Sequence, residues 1–323
     1  MLRATHVDTR VVYVRVVGLA LIGSALVIAA ACDGSTKTNQ DDTVVPVTTN
    51  VPVVDSSAGR TGADVVRPGK ELLAEALTAY QDKRYQDAVR LYTAFVGDHE
   101  RSAWGHYMLG LSLWKSGDLQ GARAALEKSV QREPRNVLVL TNLGRVLLES
   151  RESKEGLRYA ARAVALDPTS HEARRTLARI HGSLNMPNDA IADYRIALSL
   201  DPLDAWSMNN LALILIQQQR YEEALAPLAR AVQLDSAVAV FQNNLGIALE
   251  HTGHFALATV AYQSALDADS SYTKARVSLA RVEGRPEDPA LAPVVLATLA
   301  ESFDQEVRTR WMSARVKRDT LPR

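Results

Sequence analysis

The sequence predicts an all-α protein, an α-solenoid of about six helix pairs with a C-terminal capping helical segment. Three observations predict it. The chain rewrites itself at a spacing of 34 residues, so that NNLGIALE at Asn243 to Glu250 repeats the theme of NNLALILI at Asn209 to Ile216. Small and large residues return at fixed places within each repeat. Polar turns separate the apolar stretches, and Leu-Asp-Pro closes two of the repeats, at Leu166 to Pro168 and Leu200 to Pro202. Units of this size cannot bury an apolar face alone, so stacked units share one elongated core.

The first element, residues 1–31, reads as a targeting segment. Arg3, Arg10 and Arg15 are followed by Val16 to Ala31, a run without a charge, and Ala29, Ala30 and Ala31 stand directly before Cys32. A basic region, an apolar region and small residues at the cut form an export signal. The apolar run is shorter than the roughly 20 residues of a membrane span, and an uncleaved anchor stays open as a second reading. Cys32 is the only cysteine of the 323 residues, so no internal disulfide can form. The stretch resembles the lipobox of bacterial lipoproteins, with Ala29 where Leu is commonest. That resemblance implies cleavage before Cys32 and acylation of its thiol and new amino group, giving a membrane-anchored lipoprotein of the cell envelope facing the periplasm. Asp33 resembles an inner-membrane retention signal of some bacteria, and the choice of membrane stays open. Residues 32–68 lack helical periodicity and are rich in Thr, Ser, Gly, Pro and Asp, the composition of a tether.

The repeats occupy residues 69–272, in windows 69–102, 103–136, 137–170, 171–204, 205–238 and 239–272. The eighth position is always small: Ala76, Gly110, Gly144, Ala178, Ala212, Gly246. The twentieth is small as well: Ala88, Ala122, Gly156, Ala190, Ala224, Ala258. The twenty-fourth is mostly large, as at Tyr92, Leu126, Tyr194, Leu228 and Tyr262. Each window then holds two helices that approach closely at the small positions, where added bulk would force them apart. Proline in the closing turns ends the preceding helix because it lacks an N–H. This pattern resembles the tetratricopeptide repeat family. Residues 273–318 are expected to be capping helices. One runs from Tyr272 to Glu283 and a longer one from Ala290 to Lys317 lies over the last repeat. The tail is 319–323. The basic run from Val307 is either a solvated face or a contact with acidic lipid or a partner.

The family resemblance implies a superhelix whose first helices line a groove, with window positions 2, 5, 6, 9, 12 and 13 facing it. Trp104, Tyr107 and Trp114 then offer aromatic area to an apolar or Pro-rich peptide, or pack between helices. Arg145, Arg175 and Arg179 could clamp a carboxylate, or pair with Glu149 and Glu172. Asn142, Asn210 and Asn244 share position six. An amide there grips both the donor and the acceptor of a peptide unit, or ties one repeat to the next. Asn209 and Asn243 stand beside them, and Trp206 is placed to stack on a ligand. The lysines of the chaperone-binding members of the family are missing.

Nothing points to an enzyme. The sequence has no GxGxxG, no Gly-x-Ser-x-Gly and no Walker A, and its histidines are too scattered for a metal site. No cofactor, metal or small-molecule substrate is expected. The 37 basic and 37 acidic residues cancel, so nothing argues for nucleic acid. The expected partners are a segment of an envelope protein and, through the lipid, a membrane. In architecture the chain is similar to type IV pilus pilotins, a lipidated cysteine followed by about six repeats. Two alternatives stay open: a structural part of an envelope machine that packs through its convex face, and a non-catalytic regulator of a cell-wall enzyme.

Overall fold

The computed structural model describes residues 67–311. The targeting segment, Cys32, most of the tether and the residues from 312 onward lie outside that range. Among the described residues there are fourteen α-helices and a closing π-turn. The pairs are α1 Arg67–Gln81 with α2 Tyr85–Asp98, α3 Ala103–Ser116 with α4 Leu119–Arg132, and α5 Val137–Glu149 with α6 Ser153–Leu166. They continue as α7 His171–Ser183 with α8 Pro187–Leu200, α9 Ala205–Gln217 with α10 Tyr221–Leu234, and α11 Ala239–His251 with α12 Phe255–Ala268. Then come α13 Thr273–Val282, α14 Leu296–Glu306 and the π-turn Val307–Trp311. The architecture is a solenoid of helix pairs.

Local chemistry sets the ends of these helices. Ser102, Asp118, Asn136, Ser170 and Asp204 each accept a bond from the N–H three residues on, capping α3, α4, α5, α7 and α9. Between the helices of each pair one residue turns left-handed. It is Gly117 and Gly253 in two windows, but Lys83, Arg151, Asn185 and Gln219 in the others. A left-handed φ costs a residue with a Cβ roughly 1–2 kcal/mol. At the far end of the later windows, Asp167, Asp201, Asp235 and Asp269 each accept the N–H two residues on, a side-chain turn that hands the chain to the next pair.

The small positions do what their size demands. A Cβ on Gly110 would stand 2.7 Å from Cγ of Leu126, and one on Gly246 2.6 Å from Cε1 of Tyr262. Positions eight and twenty-four therefore meet inside these two pairs, where glycine admits the large partner. Between the first two windows Phe95 fills a place that is small in the other five, and Gly105 opposite makes the room: its Cβ would lie 2.8 Å from the Phe95 ring. Neighbouring first helices touch, α5 with α7, α7 with α9, α9 with α11 and α11 with α13. The second helices make no comparable contacts with one another. Rows that converge on one side and spread on the other curve, so the first helices take the inner face.

The C-terminal segment departs from the expected cap. The helix begins at Leu296 rather than Ala290, and it does not lie over the last pair. α14 packs on α10, two helices back in the outer row past α12, and the π-turn reaches α8. Arg230 of α10 donates to Asp304 at 2.9 Å, Arg195 of α8 lies 5.6 Å from the Trp311 ring, and Phe303 meets Trp311 edge-on at 5.4 Å. The physical reason is on α10. Leu225 and Ala229, on its outer side, are apolar and become buried, whereas α12 offers Thr259 and Gln263 at the same places. α13 alone follows the last pair, burying Ala275, Ser278 and Val282.

Candidate functional site

The inner row of first helices carries the polar and aromatic residues that the sequence singles out, and most of them are bonded between windows. Three side-chain hydrogen bonds share one offset. The Asn142 amide donates to the Tyr107 hydroxyl at 2.9 Å across 35 residues. The Trp114 indole N–H donates to Glu149 at 2.7 Å across 35 residues. The Asn244 amide donates to the side-chain carbonyl of Asn209 at 2.9 Å, again across 35 residues. One window plus one residue is the step at which neighbouring first helices present side chains to each other. Tyr107, Asn142, Asn209 and Asn244 are buried. Burial pushes the Tyr107 hydroxyl upward from its ordinary range. Of the two roles open to the asparagines, tying repeats is the one these bonds perform.

The amides form a short chain. Asn243 donates to Asn244 at 3.3 Å, Asn244 to Asn209, and Asn209 to Asn210 at 3.3 Å. Asn243 is buried, and its side-chain carbonyl has no partner among the described residues. Asn210, half-buried, ends the chain on the inner face.

The arginines divide in the same way. Arg145 is 2 % exposed, donates to Asn142 at 3.3 Å and lies 5.4 Å from the buried Trp114 ring. Arg175 is buried and donates to both carboxylate oxygens of Asp204, at 3.1 and 3.2 Å, while Asp204 also caps α9. Arg179 is half-buried. Glu172 pairs with His171 at 3.1 Å. That hydrogen bond holds the Glu172 carboxyl down at about 2 and raises the His171 imidazole.

Four of the candidates therefore remain half-exposed on the inner side: Trp104, Arg179, Trp206 and Asn210. Trp104 leans on Tyr92 and Trp206 meets Phe241 edge-on at 4.8 Å, so each ring is held in place from below. Around Trp206 and Asn210 stand Leu213, Val240 and Ile247, also half-buried. These three were not singled out from the sequence, yet they occupy window positions 9, 2 and 9, and the positional rule that found Trp206 finds them. The inner row is polar toward the middle windows and apolar toward the last two. It holds no group of three metal-ligating side chains among the described residues, and no helix there is long and apolar enough to cross a membrane.

A curved array of helix pairs with a lined inner face defines the class of helical-repeat binding proteins. The particular family follows from the sequence comparison. The tetratricopeptide repeat model matches residues 73–137, 107–171 and 175–239, together just over half of the chain. The chain belongs to the tetratricopeptide repeat family, a fold that is typically a non-catalytic scaffold for protein–protein interaction. No curated protein matches the sequence. Among solved structures, the chain is similar to the Cut9–Hcn1 hetero-tetramer of the APC/C, with a TM-score of 0.60 and 16% identity over 67% of this chain and 43% of that one. It is also similar to TTC0263, a thermophilic TPR protein of Thermus thermophilus, with a TM-score of 0.49 and 19% identity over 56% and 98% of the two chains. YrrB, described as a TPR protein with an unusual peptide-binding site, gives a TM-score of 0.46 and 17% identity over 58% and 96%. At such identities the likeness is one of fold.

Proposed function

We propose that this protein is a membrane-tethered scaffold of the bacterial cell envelope that holds an extended segment of another envelope protein and assists assembly of its complex. The observation that carries the groove is the cluster on windows five and six. Asn210 presents a side-chain amide on the inner face, flanked by the fixed ring of Trp206 and by Leu213, Val240 and Ile247. An extended segment would lay apolar side chains on these residues and offer its backbone to the amide. No bond-making step is needed. Binding supplies the function, and attachment through Cys32 would raise the local concentration of array and partner at one membrane.

The anchor rests on residue order alone: basic front, apolar run, three alanines, Cys32. In that order, followed by the array, the chain is similar to pilotin-type lipoproteins. Intact mass of the protein purified from its membrane, with Cys32→Ala as control, tests it. A chain starting at Cys32 with acyl mass supports the anchor; one starting at Met1 removes it.

The groove has its own test. A photo-reactive residue in place of Leu213 should cross-link one envelope protein in cells. W206A/N210A should reduce that adduct at least tenfold while leaving the thermal midpoint within a few degrees. An undiminished adduct would move binding away from this face.

A further inference from the structure

The outer face of windows two and three carries five cations in register with no acid partner among the described residues. Lys128 and Arg132 of α4 are one helical turn apart, as are Lys154, Arg158 and Arg162 of α6, so each set points one way. Lys128 and Arg162 are equivalent residues of successive windows, which aligns the two sets. All five are exposed, and none makes an ion pair among the described residues. The acids that could neutralise them are already engaged. Glu127, Glu152 and Glu155 all converge on Arg123, which bonds Glu127 at 2.8 Å and Glu155 at 2.9 Å and also reaches Glu152. One guanidinium thus gathers three carboxylates of this region and leaves the five cations without an acid partner among the described residues. Some exposed arginines elsewhere have acids beside them, as Arg84 with Asp87, Arg220 with Glu223 and Arg281 with Glu250. The formal charge of the whole chain is zero, so the ridge is a segregation of charge rather than an excess.

We propose that this ridge is a docking surface for an anionic lipid bilayer, seating the outer face of windows two and three on headgroups while the inner face stays open. It rests on the membrane-attached reading for its setting. Three features favour headgroups. Ala124, Ala161 and Ala165 are exposed between the cations, giving a low surface. The cations come from two rigid helices and so form a fixed plane suited to delocalised charge. The outer face of windows four and five is closed to the same use, because α14 and the π-turn cover α8 and α10.

The test uses the full chain. Cys32→Ser/Ala161→Cys, carrying an environment-sensitive fluorophore at residue 161, is mixed with vesicles of phosphatidylcholine alone or with about one third phosphatidylglycerol. Flotation reads attachment, and quenching by a headgroup-labelled lipid reads whether the ridge touches the surface. The expected result is quenching on the anionic vesicles only, reversed by high salt. K128Q/R158Q/R162Q, three exposed changes that leave the core intact, should weaken ridge contact roughly a hundredfold. Flotation on both vesicles without quenching would overturn the ridge while leaving attachment standing. Quenching on anionic vesicles, with no flotation on neutral ones, would support the ridge as the contact made by this unacylated variant, the Cys32 anchor being tested separately by intact mass. Flotation on neither would overturn the ridge, as would quenching that the triple variant does not change.

Discussion

Asn244 shows how one residue type serves packing and binding from neighbouring positions. Its amide donates to Asn209 inside the inner row, while Asn210, which follows Asn209, stays half-exposed on the inner face. Removing the Asn244 side chain strands the Asn209 carbonyl in a buried setting. Asn244→Ala should therefore cost about 1–3 kcal/mol in urea unfolding, whereas Asn210→Ala, which removes only the longer 3.3 Å bond from Asn209 at a half-buried place, should cost about 0.5–1 kcal/mol. Equal costs would mean that the bond between windows contributes nothing. From the sequence both residues are asparagines in a row, and the repeat pattern places both near the groove. Which of them meets the neighbouring helix depends on the one-residue advance per window, a property of the stacked array. The same advance hides Tyr107, Trp114 and Arg145 and leaves Trp206 half-exposed.

At the scale of elements, the fit of two helices depends on a few places without a side chain. Gly110 gains about 1 kcal/mol of helix propensity if changed to Ala, yet the new Cβ would stand 2.7 Å from Leu126. The clash outweighs the gain, since overpacking costs about 1–3 kcal/mol. Gly110→Ala should destabilise by about 1–2 kcal/mol, and Gly97→Ala, with nothing within 4 Å, should be neutral or slightly stabilising in the same assay. A stabilised Gly110→Ala would show that the pair can spread without loss. These glycines were legible in the sequence because their spacing is that of the repeat. Phe95 was not, since its compensation by Gly105 belongs to the next window. The placement of α14 was illegible for a similar reason. Its apolar side is plain, but its partner is chosen by the outer surface of α10, and no periodicity records which helix that is.

Across the whole molecule, stability accumulates from neighbour to neighbour, so the ends of the array should open first. α1 packs chiefly on α2, and α13 lacks the second helix of a pair. α14 and the π-turn bind α10 and α8 from outside and tie windows four and five together. Hydrogen exchange should find the slowest amides in α7 to α10 and the fastest helical ones in α1 and α13. Uniform protection from α1 to α13 would mean that the array opens as one unit and that α14 adds no local clamp.

The sequence by itself determined the family, the helix pairs and the small residues at their crossings. Those properties are local or repeat at a fixed spacing, and a period can be read along a chain. Only the tertiary structure decided which polar side chains of the inner row are bonded to the next window and which still face outward. It also decided that the last helix folds back on α10, and that Arg123 gathers the acids of two helices and leaves a cationic ridge behind. Each of these depends on the advance and curvature of stacked helices, which bring together residues that no single repeat contains.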